Sequence, residues 1–461
     1  MKLIRSSSLL VLFLATVAFA NNPDPIIAET ESVSGLIVAF KPQQAPVTRN
    51  GRATKSVGNK SYSMRKIMPD SDRRAPTKKM SPKAVQAGER LRHLYVLEIE
   101  DTAERAEVLH QLRQSPDVVY VEPNLPIYLQ STPTDPMYVR HYGLENNGQP
   151  FWVTALISSN GTPGADINWR PAWDAGLPTN DVIVAVIDTG VDVNHEDLAG
   201  RIWTNPGEIL GNGADDDLNG FIDDIYGWSF VEANNNITDD NGHGTHVAGT
   251  IAAAVNNGVG MVGVNPHARI MALRIFDASG RGTSADGVAA ILYAVQNGAK
   301  IINNSWGGYG YLQSLADAIL YANEMGVVVV CAAGNSNTSL PMYPASYPGA
   351  ISIAATDAHD QRASFSNYGP PVDLAAPGVS ILSLRSGDAD LGATRTISNK
   401  YAVLSGTSMA SPHAAGAFSL LYAAFPGLDP WIYQRVMQKA ANTNFYSLPA
   451  NTNFMGQLGA G

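Results

Sequence analysis

Ile183-Val184-Ala185-Val186-Ile187-Asp188-Thr189-Gly190 is the stretch whose reading decides the fold. Five apolar residues run without alternation and stop on a carboxylate followed, two residues later, by glycine. A strand with no polar face has no solvated side, which is the pattern of a parallel sheet covered on both faces. The same texture returns at residues 270–275, 300–304, 327–332 and 350–354. Between these runs lie stretches with helical spacing at 243–255, 284–296, 312–324, 408–424 and 430–441. The alternation predicts an α/β fold, a parallel sheet with helices on both faces. In such folds the chemistry gathers at the carboxyl ends of strands, and Asp188 stands at one.

Two further segments carry reactive groups. Asn241-Gly242-His243-Gly244-Thr245-His246-Val247-Ala248-Gly249-Thr250 opens a helix of small residues, and glycines flank His243. His246, three residues into that helix, reads as a packed or hydrogen-bonded histidine. The pair is a poor zinc motif, because the helical metalloprotease signature spaces its histidines four apart beside a glutamate. Gly406-Thr407-Ser408-Met409-Ala410-Ser411-Pro412-His413 opens another helix. A serine at a helix start is either a cap or a nucleophile in the field of unpaired N–H groups. Pro412 falls near the first turn, where a missing N–H does least harm. Taken singly, Asp188 is either a turn residue or the orienting partner of an imidazole.

Together these segments resemble the subtilisin-like serine peptidases. Asp188, His243 and Ser408 stand in that family's order, each inside a long matching string, and Ala332-Ala333-Gly334-Asn335 is a fourth match. The resemblance runs from about Asp135 to the C-terminus. It implies a serine endopeptidase whose catalytic triad is Asp188, His243 and Ser408, working by acyl transfer. It also implies that the Asn335 amide and the Ser408 backbone N–H hold the oxyanion. Ser305-Trp306-Gly307-Gly308, with Gly334, matches the segment against which an extended peptide pairs as a strand. Trp306 is bulkier than the usual aliphatic there. Substrates are then proteins or peptides, and the expected state is a monomer.

Calcium is the cofactor expected. Asp215-Asp216-Asp217-Leu218-Asn219-Gly220-Phe221-Ile222-Asp223-Asp224 places oxygens at alternate positions and then a glycine, like the start of an EF-hand loop. Tyr226 stands where a full EF-hand loop has a bidentate glutamate. Such a loop is either solvated or neutralised by an ion held by Asp215, Asp217, Asn219 and Asp223. The family resemblance implies a second calcium at Asp135, Asp197 and Asn257.

The N-terminal part is organised differently. Residues 1–20 read as a secretory signal: Lys2 and Arg5, an apolar run to Phe19, and Ala18-Phe19-Ala20 at the cleavage position. About eleven apolar residues cannot cross ~30 Å of hydrocarbon, so the expected destination is extracellular. Residues 21–131 hold 16 Lys+Arg and 13 Asp+Glu, whereas 132–461 hold 13 and 28. An acidic catalytic part disfavours nucleic acid and anionic membrane as partners. Strand-like segments at 35–40, 92–99 and 118–124 and a helix at 102–114 predict a small α+β domain. It resembles the family's propeptide, an intramolecular inhibitor. The basic stretch about 41–92 inside it, with 14 Lys+Arg and few large apolar residues, reads as a disordered insertion.

The single cysteine, Cys331, rules out an intramolecular disulfide, and its apolar run marks it as a core residue. Leu458-Gly459-Ala460-Gly461 resembles the beginning of a family motif that continues into a terminal helix, so the chain is expected to be truncated there. Two other functions remain to be separated from this reading. A catalytically silent peptide binder is disfavoured by the intact triad and Asn335. An esterase is disfavoured because the Gly-x-Ser-x-Gly elbow of the common esterase fold is missing.

Overall fold

A computed structural model describes residues 35–46, 48, 52–67, 81–99, 101–124, 132–387 and 389–461. The signal-like segment 1–20 lies outside the described residues. The chain divides into two compact units, up to Leu129 and from Gln130 onward.

In the first unit, β1 (Leu36–Phe40), β2 (Arg52–Val57), β3 (Lys60–Lys66), β4 (Leu94–Leu97) and β5 (Val118–Pro123) form one antiparallel sheet in the order β2-β3-β4-β1-β5. Helices α1 (Pro82–Arg92) and α2 (Thr102–Gln114) complete it. Leu36, Val38 and Phe40 of β1 meet Tyr95, Leu97, Val108 and Leu112 in its core. Asp101 caps α2 by accepting from the Glu104 N–H at 2.7 Å.

The expectation of disorder across 41–92 is corrected here, since β2, β3 and α1 all fall inside it. Val57 and Met64 bury into the core, with Ala53 and Tyr62 packed beside them. Arg52 and Arg65 point outward while Lys55, Lys60 and Lys66 share the inward face with Val57 and Met64, so the basic residues dilute that alternation in composition. On β2, which is an edge strand, they also guard against pairing with another chain. Residues 68–80 of the stretch lie outside the described residues.

The second unit begins with a hairpin of β6 (Pro150–Thr154) and β7 (Ile157–Asn160), followed by α3 (Trp169–Ala175). Its seven-stranded sheet is built from β8 (Ile183–Asp188), β9 (Gly227–Ser229), β10 (Arg269–Arg274), β11 (Ile301–Asn304), β12 (Val328–Ala332), β13 (Ala350–Thr356) and β14 (Leu374–Pro377). The order is β14-β13-β12-β11-β8-β10-β9, parallel throughout. A second hairpin pairs β15 (Ile381–Leu384) with β16 (Tyr401–Leu404).

The helices of this unit are α4 (His243–Ala252), α5 (Ser284–Gln296), α6 (Gln313–Glu324), α7 (Thr407–Ala424) and α8 (Pro430–Ala440). Period-two alternation splits each strand between two cores. Val184, Val186, Ala272, Val328 and Val330 pack with Val247 and Ile251 of α4 and Met409 and Phe418 of α7. Ala185, Ile187, Leu273, Val329 and Cys331 pack with Ile291 of α5 and Ile319 of α6. Each fully buried valine or isoleucine here stabilises by roughly 1.5–3 kcal/mol. The predicted parallel sheet with helices on both faces is therefore what the chain forms.

The chain winds one way from β8 to β10 and then crosses back over β8 to β11. That reversal opens a crevice beyond the carboxyl ends of β8 and β11.

Candidate active site

Asp188 ends β8 at 1% exposure. Its Oδ1 accepts from the Thr189 N–H at 2.8 Å and from His243 Nδ1 at 2.7 Å. His243 is the first residue of α4, entered through Gly242 at φ +93°, a left-handed conformation that glycine adopts without strain. Burial opposes a charge on the imidazole, but the charge and hydrogen bond of Asp188 outweigh it and hold the pKa above the ordinary histidine value.

Ser408 is the second residue of α7, and a proline fixes its surroundings. Pro412 has no N–H to give the Ser408 carbonyl four residues earlier. The Ser305 hydroxyl supplies the missing donor at 2.9 Å, and the Ser408 hydroxyl donates in return to the Ser305 carbonyl at 3.0 Å. Asn303 donates to the Ser305 hydroxyl at 2.9 Å and accepts from Ser411 at 2.8 Å. The residue after β11 is thus tied to the first turns of α7.

Asn335 follows β12, exposed at its end. Its Oδ1 accepts from both the backbone N–H and the hydroxyl of Thr407, at 2.8 and 2.9 Å. The hydroxyl accepts in turn from the Gly334 N–H at 3.0 Å. With its oxygen so occupied, Asn335 turns its Nδ2 toward the start of α7. A β-carbon placed on Gly406 would lie 3.5 Å from Asn335 Nδ2 and 3.6 Å from the Ser408 nitrogen, so the two donors share one small space.

The other expected substrate contacts fall beside this space. Gly334 sits at φ +109°, where a β-carbon would strike the side chains of Asn367 and Met342. Gly308 exchanges two 2.8 Å backbone hydrogen bonds with Tyr343, so that part of the segment is already paired within the chain. The Trp306 indole packs on Gly287 of α5 and against the Phe276 ring, centroids 6.2 Å apart. The lack of a side chain at Gly287 makes the room that the bulky residue at 306 needs.

Among the expected metal ligands, Asp215 and Asp217 come together with Glu208, their ligand atoms all within 4.8 Å of one another. Asn219 donates its amide to Asp217 and Asp224. Asp223 faces away, its carboxylate taken by the backbone N–H groups of Gly211, Asn212 and Gly213 at 2.9–3.2 Å. The cluster found among the described residues is thus Glu208, Asp215 and Asp217, and Asp223 is not part of it. Asp135, Asp197 and Asn257 are adjacent: Asn257 donates to Asp197 at 2.7 Å, and its N–H reaches Asp135 at 3.2 Å. Burial pushes the Asp197 carboxyl up to about 6.

Sequence reasoning passed over Glu208, Thr407, Thr189 and Asp239. Glu208 lies seven residues before the acidic run, so spacing within the run could not reveal it. Asp239 precedes His243 by four residues in a polar loop, a signal visible in the sequence but indistinct from an ordinary turn.

Three more histidines are fully enclosed. His141, His246 and His413 each donate one ring N–H to a carbonyl, of Val262, Ile381 and Met409 respectively. Burial pulls their pKa values down to about 3, about 3 and about 4. The unfolded chain takes up these protons first, so their contribution is complete above pH ~6.5 and is lost as pH falls toward 4. Each contributes a slope of ~1.4 kcal/mol per pH unit. Asp197 and Asp360, both raised to about 6 by burial, act in the opposite sense, so the test is a difference. Replacing His413 with Gln is expected to flatten unfolding free energy against pH, measured by urea melts from pH 7 to 4, by about that slope. An unchanged slope would show that His413 does not titrate on unfolding.

Comparison with known proteins matches residues 179–461 to the subtilase family. A thermophilic serine proteinase from Bacillus sp. (strain AK1) is 39% identical over 315 residues, covering 68% of this chain and 65% of that protein, just under two thirds of its length. Thermitase from Thermoactinomyces vulgaris is 41% identical over 250 residues, 54% of this chain and 77% of that protein. Subtilisin DY from Bacillus licheniformis is 39% identical over 258 residues, 55% and 81%. The chain belongs to the subtilase family.

Proposed function

We propose that this chain is a secreted endopeptidase, made as a self-processing zymogen, in which Asp188, His243 and Ser408 form the catalytic triad. The observation that carries the reading is the 2.7 Å contact of His243 with the buried carboxylate of Asp188, at the end of a strand paired with β11, whose following residue Ser305 holds Ser408. In the reaction the Ser408 hydroxyl leaves the Ser305 carbonyl and turns to His243 Nε2, which takes its proton as the oxygen attacks the peptide carbonyl. Such contacts commonly tighten only when substrate is bound. Asp188 keeps the proton on Nδ1 and stabilises the imidazolium, and His243 then hands its proton to the leaving amine. Water repeats the sequence on the acyl-enzyme. The oxyanion takes hydrogen bonds from Asn335 Nδ2 and the Ser408 N–H, while Ser305, Trp306, Gly307 and Gly334 line the path of the peptide.

Residues 1–20 are then a cleaved signal, 21–131 an inhibitory propeptide and 132–461 the peptidase domain, acting outside the cell as a monomer. The division of the chain after Leu129 and the change in charge near residue 131 support those limits. Among the described residues no helix is long and apolar enough to cross a membrane. A fluorophosphonate probe tests the whole reading: it should label Ser408 in the purified protein, and casein should be cleaved without comparable turnover of lipid esters. A wild-type protein that takes no label would end it.

Calcium would be held by Glu208, Asp215 and Asp217, with Asn219 beside them, and at a second site by Asp135, Asp197 and Asn257. Hard, all-oxygen donors suit that ion, whose charge would neutralise carboxylates that repel one another. A bound ion stabilises by RT ln(1 + [L]/Kd), ~2.7 kcal/mol at a hundredfold excess over Kd. Chelation is therefore expected to lower the melting temperature of Ser408→Ala protein, where autolysis cannot interfere, and millimolar calcium to restore it. Asp217→Ala should lose much of the response. Identical melting curves in chelator and in calcium would mean that neither cluster holds an ion.

A further inference from the structure

Asp239 lies in the loop ahead of α4, fully buried, and no step of the mechanism above uses it. Five donors converge on its carboxylate. Oδ1 accepts from the Thr189 hydroxyl at 2.8 Å, the Gly242 N–H at 2.7 Å and the Asn241 N–H at 3.3 Å. Oδ2 accepts from the N–H and hydroxyl of Thr245, at 2.8 and 2.6 Å. Burial pushes the Asp239 carboxyl above its usual range, and the hydrogen bonds from these donors pull the other way, toward the ionised form.

The donors come from the two segments that must meet in the reaction. Thr189 directly follows Asp188, while Gly242 and Thr245 bracket His243. Both hydroxyls also act as relays: Thr189 accepts from the Gly244 N–H at 2.9 Å, and Thr245 from the Asp192 N–H at 2.9 Å. The backbones are pressed together, since a β-carbon on Gly244 would collide with the Gly190 carbonyl. We propose that Asp239 is a positioning residue of the reaction, locking the turn after Asp188 to the first turn of α4 and so setting the Asp188–His243 contact. This rests on the reading of Asp188, His243 and Ser408 as the working site.

Its charge reaches the imidazole as well. Burial lowers the basicity of His243, and Asp188 on β8 and Asp239 both raise it. From β10, the Arg274 guanidinium is turned to Glu232 and Asp240, and His246 on α4 is held neutral by burial. Asp239 is thus a second anion whose charge favours the imidazolium of His243.

Asp239→Asn keeps the size, removes the charge and turns an amide N–H toward a donor. We expect kcat to fall ~10- to 100-fold, the scale of a small misplacement of catalytic groups. KM should stay within about twofold, and the acid limb of kcat/KM against pH should move to lower pH. Thr189→Val keeps the charge but breaks the lock: kcat should fall while the limb stays in place, and Thr189→Ser should recover most of the loss. In Ser408→Ala protein, the NMR titration midpoint of His243 should drop on adding Asp239→Asn, a readout that needs no activity. Wild-type protein that takes no fluorophosphonate would sink the reading of the triad, yet the titration would still decide the coupling. If Asp239→Asn fails to fold, Thr189→Val and Thr245→Val carry the test. Wild-type kcat in the folded variants with an unmoved His243 titration would overturn the proposal.

Discussion

Ser408→Ala is expected to reduce peptide cleavage by at least ~10⁴-fold in kcat and to leave the precursor at full length. The first effect follows from removing the atom that attacks. The second follows because, in a self-processing precursor, the same nucleophile makes the cut that releases the peptidase domain. If the triad acts as one device, Asp188→Ala and His243→Ala should each cost on the same order, and double variants should add little. The size of these effects is carried over by analogy from subtilisin, a relative of this chain. Single-turnover kinetics on a peptide substrate gives the first number, and intact-mass spectrometry of secreted protein gives the second. Processing that proceeds normally in Ser408→Ala would assign the cut to another protease, and normal turnover would remove Ser408 from the chemistry.

Asn335→Ala is expected to lower kcat by roughly 10²–10³-fold while KM hardly changes, again by analogy with a subtilisin asparagine. The structural reason is the orientation of the amide. Two donors from Thr407 hold Oδ1, so Nδ2 shares a space with the Ser408 N–H beside Gly406. A hydrogen bond there matters most once the carbonyl oxygen carries negative charge, which makes it a transition-state contact with little hold on the substrate beforehand. A large rise in KM at normal kcat would instead make Asn335 a contact to the bound peptide.

The sheet was readable because its strands are apolar on both faces and long enough to stand out. Residues 183–188 and 328–332 leave no choice between core and solvent. β9 and β14 were missed: the first has only three residues, and the second, Leu374-Ala375-Ala376-Pro377, carries too little hydrophobic weight to mark a strand. The hairpin of β2 and β3 was hidden because basic residues stand on both of its faces among serines and a threonine, which in composition resembles an unfolded chain. At the site, residues in long matching strings were legible, whereas Thr407 and Asp239 act only through geometry. Threonine beside a nucleophile and aspartate in a turn are both commonplace until their hydrogen bonds are seen.

Cys331 sits fully buried in β12, and burial pushes its thiol up to about 12. Near neutral pH its sulfur is therefore protonated, and burial keeps it out of reach of reagents. A cysteine introduced on the surface would accordingly be the chain's one reactive thiol, with no native sulfur to protect first and no disulfide to scramble. Maleimide chemistry could then attach a fluorophore, a polymer or a solid support at a single chosen point. A position on the exposed side of α6, such as Glu324, lies on the opposite face of the sheet from α4 and α7 and leaves the crevice open to substrate.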